Sequence, residues 1–146
     1  MTAPFEFALP PEPEHLRALR RWMRHKLARV GVDADQVDSA ILVVDEMISN
    51  AIEHGAVYRR LFEPLVVRME LAGADLLIEF DDPEVPPEVA AQIRRTLSGA
   101  KLERPPIDSE RGRGMFLVAD ALRDIQVDGL ADGGLRIRGR LPGTCA

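Results

Sequence analysis

The sequence predicts an α+β two-layer sandwich, in which a mixed, mostly antiparallel sheet carries helices on one face. Short apolar stretches occur in hairpin-like pairs, and two longer stretches have apolar residues at helical spacing. The predicted order is strand, helix, helix, strand, strand, helix, helix, strand, strand, which differs from the alternation of a doubly wound parallel sheet. With 146 residues, of which 46% are hydrophobic, we expect a single domain over residues 1–146.

The chain opens with a predicted strand and a basic helix. Phe5, Phe7 and Leu9 alternate with other residues, and the two prolines that follow end the strand. Over residues 14–30 apolar side chains recur every three or four positions, which predicts an amphipathic helix closed by Gly31. This segment holds five arginines and a lysine against one acid, so its net charge is +5.

The second helix is acidic where the first is basic. Residues 33–54 carry six acids and neither lysine nor arginine, so their net charge is −6. We expect this helix to begin after Asp33 or Asp35 as its N-cap and to end at Gly55 as a C-cap. Its length predicts a central position in the fold.

The second half predicts two hairpins separated by helices. Residues 65–71 and 75–81 flank Ala-Gly-Ala, and a proline-containing loop leads from them into a weak helix. A polar stretch follows, and the sequence Gly-Arg-Gly then opens a second short helix. The expected spans are residues 88–97 for the weak helix and residues 125–128 and 135–141 for the last two strands.

Composition excludes several classes of protein. The single cysteine, Cys145, excludes an internal disulfide framework and a cysteine-based zinc site. No apolar run reaches the roughly eighteen residues of a membrane helix, and the N-terminus lacks the layout of a signal peptide. A net charge of −5 disfavours a general nucleic-acid binder. We therefore expect a cytoplasmic protein that binds neither membrane nor, directly, nucleic acid.

Glu46, Asn50 and His54 are four residues apart and lie along one ridge of the second helix. One interpretation is a solvated surface on which His54 stabilises the helix C-terminus. The other is a site for phosphate chemistry, in which Asn50 offers its carbonyl oxygen to Mg²⁺ and Glu46 acts as a general base. Zinc is disfavoured because the histidines show no ligand spacing.

A second candidate site is the run Arg111-Gly112-Arg113-Gly114, which opens a helix after a polar loop. Backbone N–H groups at a helix N-terminus bind anions, and the glycines leave them accessible. The plain alternative is a glycine-rich turn that only enters a helix. The run is not a Rossmann fingerprint, because Leu117 stands where the third glycine belongs, and no Walker A motif occurs.

Together these motifs resemble the GHKL nucleotide-binding superfamily. The chain has, in order, Glu46-x-x-x-Asn50-Ala-x-x-His-Gly, an acidic turn Asp81-Asp82 after a strand, and Glu-Arg-Gly-Arg-Gly over residues 110–114. Within the superfamily the chain is similar, over nearly its whole length, to the small anti-sigma factor serine kinases of bacterial partner-switching systems. The resemblance implies the ATP-binding sandwich known as the Bergerat fold.

The resemblance also implies a role for each residue of these motifs. Glu46 would be the catalytic base, Asn50 the Mg²⁺ ligand and Asp82 the adenine-contacting group, while residues 88–110 would form the ATP lid. The implied cofactors are ATP and Mg²⁺. The residues implied to bind them are Asn50, Asp82, Arg111, Gly112, Arg113, Gly114 and Met115.

The adenine end of the implied site departs from the family pattern. If Ile78 and Phe80 point inward, alternation places Asp82 inward as well, ahead of the aspartate before it. The family pattern after this residue is Asp-x-Gly-x-Gly, but here the turn has no glycine, and Glu84 brings negative charge towards a site for an anion. Leu135 stands where the family has threonine. These departures predict weak or altered nucleotide binding.

We expect an anti-sigma factor with ATP-dependent serine kinase activity towards a small antagonist protein of the STAS type. The alternative is a binding module of the same fold that sequesters its partner without phosphoryl transfer. A third hypothesis is a GHKL-type ATPase or phosphatase-linked regulator outside sigma control.

The basic first helix has two interpretations of its own. Its arginines form either a solvated face that pairs with the acidic helix or, as the resemblance implies, a partner surface near a homodimer interface. In the second case, Arg20 and Arg21 would contact the antagonist or a sigma factor.

Overall fold

The structure describes residues 4–99, 110–131 and 133–143, and for residues 99 and 110–113 it describes the backbone alone. These ranges contain five strands and four α-helices. This computed structural model has the predicted order of elements, with one short 3₁₀ helix added. The elements are β1 (Phe5–Leu9), the 3₁₀ helix (Pro13–His15), α1 (Leu16–Arg29), α2 (Ala34–Gly55), β2 (Leu65–Ala72), β3 (Asp75–Asp82), α3 (Pro87–Gly99), α4 (Glu110–Ala121), β4 (Arg123–Gly129) and β5 (Leu135–Leu141).

The strands form one sheet in the order β1-β2-β3-β5-β4. Every described pair of strands is antiparallel, which confirms the predicted α+β sandwich and sharpens the expectation of a mostly antiparallel sheet. A two-residue turn joins β2 to β3. Gly73 in this turn has φ +64°, a conformation that favours glycine because it has no Cβ.

The helices cover one face of the sheet, as predicted. Side chains alternate across a strand, so Leu65 and Val67 of β2 and Ile78 of β3 are buried beneath the helices. The central helix, α2, buries Val44 and Ile48 in the same core and contacts both α1 and α4. Among the described residues, the other face of the sheet is less buried, since it carries the partly exposed Arg68 and Glu70 of β2, and we call it the open face. None of the described helices is both long and apolar enough to cross a membrane.

The connection between α1 and α2 follows the sequence prediction. Gly31 has φ +86°, and the N–H of Val32 donates to the carbonyl of Leu27 at 3.0 Å, which closes α1 as a Schellman motif. Asp33 is the N-cap of α2, and its side chain accepts a hydrogen bond from the N–H of Asp35 at 3.4 Å.

The end of α2 differs from the prediction of a glycine C-cap. Gly55 is the last helical residue, and the chain continues in right-handed conformation at Ala56, with φ −56° and ψ −30°. A Cβ built on Gly55 would lie 2.8 Å from Nε of Arg59. The predicted C-cap role is therefore wrong, because glycine is required here for space rather than for a left-handed turn.

Candidate functional site

A cavity of about 410 Å³ is lined by the sheet and by α2, α3 and α4. This volume is in the range of small-molecule sites. Its walls are largely apolar, with Met47 and Met115 from the helices and Phe80 and Ile137 from the sheet. The polar residues that line it are Asn50, His54, Tyr58, Asp82, Gln92 and Thr96.

Glu46 lies beside the N-terminal part of α4. A Cβ built on Gly114 would overlap Oε2 of Glu46 and lie 3.2 Å from its Cδ, so glycine lets this carboxylate approach the helix closely. Burial raises the pKa of Glu46 above its ordinary value, and the neighbouring Asp45 raises it further. The ionised carboxylate is therefore a better proton acceptor than a fully solvated one.

Asn50 and His54 follow Glu46 along α2, and both line the cavity. The ridge predicted from the four-residue spacing therefore faces a cavity at two of its three positions. This arrangement favours the interpretation as a ligand site over that of a plain solvated surface. An asparagine carbonyl oxygen is among the ligands that Mg²⁺ accepts.

The glycine-rich run lies within a helix rather than ahead of it. Because α4 begins at Glu110, Gly112 and Gly114 belong to its first turns. The N–H groups of a first helical turn have no partners within the helix, so the predicted source of anion binding is retained. The side chains of Arg111 and Arg113 lie outside the described residues.

The predicted lid over residues 88–110 is described at its two ends. Its first part is α3, from which Val89 and Ile93 line the cavity. Residues 100–109 lie outside the described part of the chain. Beyond them, Met115 of α4 is buried and lines the cavity as well.

Asp82 faces the cavity, as alternation along β3 predicts, but its carboxylate is paired. Arg59 donates from Nη1 to Oδ1 at 2.9 Å and from Nη2 to Oδ2 at 2.7 Å. Both side chains are 1% exposed, so this is a buried, bidentate ion pair. The hydrogen bonds to Asp82 raise the pKa of the Arg59 guanidinium, and they outweigh burial, which acts in the opposite direction.

Glu84 is not among the residues that line the cavity, and its carboxylate faces backbone donors, so its effect on an anion in the cavity remains a prediction. Its carboxylate accepts hydrogen bonds from the backbone N–H groups of Arg60, Leu61 and Glu63 at 3.0, 2.8 and 3.2 Å. Burial alone would raise the pKa of Glu84, but these donors and the nearby Arg59 lower it overall. The turn after β3 thus holds the loop over residues 56–64.

Gly134 fits closely against the same turn. It has φ +100°, and a Cβ at this position would lie 2.7 Å from Cα of Pro83. The next residue, Leu135, is buried and lines the cavity where a hydroxyl was expected. The polar groups at this end of the cavity are therefore Asp82 with its partner Arg59, and the neighbouring Tyr58.

Arg20 is engaged within the chain. Its Nε and Nη2 donate to the Asp45 carboxylate at 3.0 and 3.1 Å, and Nη1 of Arg24 donates to Asp38 at 3.0 Å. Both pairs lie on the surface between α1 and α2, in agreement with the interpretation of the basic face as one that pairs with the acidic helix. Arg21 is exposed.

Arg59 is the residue of this site that the sequence prediction missed. It lies in a loop without periodicity, 23 residues before Asp82. The available signal was indirect. A buried carboxylate needs a partner, and a turn that has prolines in place of glycines disfavours close approach of a ligand from that side.

A family comparison agrees with the observed fold. Residues 9–140 match the model of the histidine kinase-like ATPase domain, which covers most of the chain. The chain belongs to this family of ATPase domains. The match confirms the GHKL resemblance and the fold expected from it. No curated protein sequence matches this ATPase domain significantly.

Two solved structures share the fold of this ATPase domain. The SiaB–SiaC complex from Pseudomonas aeruginosa has a TM-score of 0.76 at 13% identity, with 94% of this chain and 88% of that chain covered. The RsbU and RsbW domains of Rv1364c from Mycobacterium tuberculosis have a TM-score of 0.66 at 18% identity, with 97% of this chain covered. The ATPase domain spans 33% of that longer chain. Identities this low establish similarity of fold alone.

The ATPase domain fits one part of a Mg-ATP ligand better than the other. Asn50 in the cavity offers an amide oxygen of the kind that Mg²⁺ accepts, and the Glu46 carboxylate lies beside α4. The apolar walls and the cavity volume also suit a nucleotide base. At β3, however, the Asp82 carboxylate is already bound by Arg59. The residues present therefore fit the metal and phosphate part of the ligand, whereas the Asp82 carboxylate, which the resemblance implies to contact the adenine, is already paired with Arg59.

Proposed function

We propose that this ATPase domain is an anti-sigma factor that transfers a phosphoryl group from Mg-ATP to a serine of a small antagonist protein of the STAS type. The position of Glu46 carries the proposal. Its carboxylate lies against Gly114 of α4. Asn50, one turn further along α2, lines the cavity. A module that only binds a protein partner needs neither a carboxylate of raised pKa nor a metal-ligand amide at this place.

Bound Mg-ATP would supply the phosphoryl group, and the residues of the chain would position it. Asn50 would hold the ion through its carbonyl oxygen, and the first-turn N–H groups of α4, including that of Gly112, would donate to phosphate oxygens. Glu46 would accept the proton of the serine hydroxyl as the serine oxygen bonds to phosphorus and the bond to ADP breaks.

The partner surface of the proposal is the basic face of α1. Arg21 is exposed, and Arg20 is held by a surface ion pair that a partner carboxylate can replace at little cost. A sigma factor is the second partner in this proposal. We also retain the homodimer and the cytoplasmic location as parts of it, the former to be tested by light scattering at several protein concentrations.

The buried pair of Arg59 and Asp82 favours a second candidate function. If the pair prevents nucleotide binding, the domain would sequester its partner without phosphoryl transfer. The two functions differ in whether the partner gains phosphate, so one experiment separates them.

The test is to incubate the domain with Mg-ATP and a STAS-type protein encoded beside its gene, and to follow the intact mass of that protein. We expect the addition of a single phosphoryl group. Glu46→Gln and Asn50→Ala should each abolish it. Glu53→Gln, at an exposed position on the same helix, is the matched control and should leave transfer unchanged. Stable complex formation without any mass change would support sequestration instead.

A further inference from the structure

The cavity has one anionic group among its described lining residues, the carboxylate of Asp82. Its other polar lining residues carry amide, hydroxyl and imidazole groups. A heterocyclic ring bound against Phe80 and Ile137 would therefore meet a charged hydrogen-bond acceptor at this position alone. Whether the Asp82 carboxylate is free to accept a hydrogen bond therefore decides whether the cavity can distinguish an amino group from a carbonyl group on such a ring.

Asp82 is not free, because three donors already use its carboxylate. Arg59 donates to both oxygens, at 2.9 Å to Oδ1 and 2.7 Å to Oδ2, and the N–H of Glu84 donates to Oδ1 at 3.1 Å. The negative charge is compensated by a guanidinium that is itself 1% exposed. A ring amino group would gain little from such a carboxylate, and a ring carbonyl would meet little repulsion.

Arg59 is also fixed in place from its other side. Its Nη2 donates to the carbonyl of Ala51 at 3.1 Å, and the guanidinium lies against Gly55, where a Cβ would come within 2.9 Å of Cζ. Moving Arg59 away would leave the Asp82 carboxylate buried without its counter-charge, which is costly. The pair is therefore a stable part of the cavity wall.

We propose that Arg59 determines the base specificity of this cavity. By pairing with Asp82, it compensates the carboxylate charge and occupies most of its acceptor sites, which weakens the distinction between an amino group and a carbonyl oxygen on a purine. The ligand class is then purine nucleoside triphosphates without preference for adenine. This inference rests on the proposed function only in taking a nucleoside triphosphate as the ligand.

The inference is tested by calorimetric titration of Mg-ATP and Mg-inosine triphosphate, which differ at the amino and carbonyl groups of the base. For the unaltered domain we expect dissociation constants within about threefold of each other, since no charged acceptor separates the two ligands. Arg59→Met frees Asp82, so ATP should then bind on the order of ten- to a hundredfold more tightly than inosine triphosphate.

Arg59→Lys keeps the protein testable if Arg59→Met does not fold. A lysine retains the charge but lacks the bidentate fork, so the Asp82 carboxylate is incompletely occupied and an intermediate preference for ATP is expected. The readout is the ratio of the two dissociation constants, because a loss of protein stability weakens the binding of both ligands equally.

Each outcome bears on the proposal. A tenfold or greater preference of the unaltered domain for ATP would overturn it, and so would equal binding of both ligands by Arg59→Met. Absence of binding in every variant would overturn it together with the kinase proposal. Unselective binding without phosphoryl transfer would leave the inference standing and overturn the kinase proposal alone.

Discussion

Asp81 and Asp82 are neighbours on β3, yet they form two different kinds of ion pair. Asp81 lies on the open face of the sheet, where Arg68 of β2 donates to it at 2.9 Å and Arg136 of β5 donates to it at 2.8 and 2.9 Å. Asp82 lies on the opposite face, where it is paired with Arg59. The side chains of Arg68 and Arg136 are 34% and 33% exposed, whereas that of Arg59 is 1% exposed.

The comparison shows how exposure alters the consequence of breaking a pair. On the open face, the two arginines that would lose Asp81 are each about one-third exposed, so water can solvate their charges and the cost of removing Asp81 is modest. In the cavity wall, the remaining charge stays buried and uncompensated. The free-energy cost of breaking the ion pair thus differs between two adjacent aspartates, because the side chains of a strand alternate between faces.

The largest effect is expected when Asp82 is removed. Asp82→Ala removes the carboxylate that binds the buried Arg59 guanidinium through two hydrogen bonds and leaves only the weaker pair with Glu84 at 3.7 Å, so the free energy of unfolding should fall by about 3–5 kcal/mol. Urea denaturation followed by circular dichroism measures it. The double variant Arg59→Met with Asp82→Leu removes both charges and should be closer to the unaltered protein. Equal destabilisation of the single and double variants would contradict this account.

A second substitution tests the backbone around Asp82. Gly134→Ala requires a Cβ 2.7 Å from Cα of Pro83 at φ +100°, and we expect a loss of about 3 kcal/mol in the free energy of unfolding. Gly133→Ala is the matched control. Gly133 has φ +92°, and apart from its chain neighbours no heavy atom of the described residues lies within 4 Å of a Cβ built there, so strain alone should cost about 1–2 kcal/mol. The same loss at both positions would show that the close packing is unimportant.

A smaller effect, with a defined pH dependence, is expected for Asp81. Burial would raise the pKa of Asp81, but the hydrogen bonds from Arg136 and Arg68 lower it overall. Its contribution to stability is therefore present above the unfolded pKa and is lost as the pH falls through the folded value. Asp81→Asn should cost about 1–2 kcal/mol in the free energy of unfolding near neutral pH.

The pH dependence of Asp81→Asn is checked by denaturant midpoints at neutral pH and at about pH 3. The difference between the variant and the unaltered protein should shrink at the acidic pH, because protonation removes the same interaction. Comparison with the unaltered protein cancels the titration of Glu84, whose pKa is also lowered. A difference that grows towards acidic pH would contradict the assignment.

The smallest effect is expected for the surface pairs between α1 and α2. Arg24→Ala removes a pair whose side chains are 62% and 64% exposed, so the free energy of unfolding should change by about 0.5 kcal/mol or less. Added salt should reduce the difference further. Thermal denaturation at two salt concentrations measures it, and a loss comparable to that of Asp81→Asn would be unexpected.

The sequence predicted the parts of the site that follow from local spacing. Glu46, Asn50 and His54 share a ridge because the helix has 3.6 residues per turn, and the structure places Asn50 and His54 at the cavity. The inward orientation of Asp82 follows in the same way from alternation along β3. The anion-binding role of Gly112 remains a prediction, because it depends on a ligand.

Local spacing cannot predict the contacts between segments that are distant in the chain. The pairing of Arg59 with Asp82 and the capture of three loop N–H groups by Glu84 join residues more than twenty positions apart. From the sequence, the negative charge of Glu84 predicted a site that repels anions. In the folded chain the Glu84 carboxylate faces backbone N–H donors of the loop over residues 56–64. The role of Gly55 was misassigned, because the residue it accommodates lies in the following loop.

The sequence by itself determined the order and type of the elements, the opposite charges of the first two helices and the face on which each aspartate of β3 lies. These properties depend on the periods of helix and strand, which are read locally. Only the tertiary structure decided that an arginine binds Asp82. That outcome depends on which charged groups folding buries together, because a buried carboxylate must find a partner wherever the packed chain provides one.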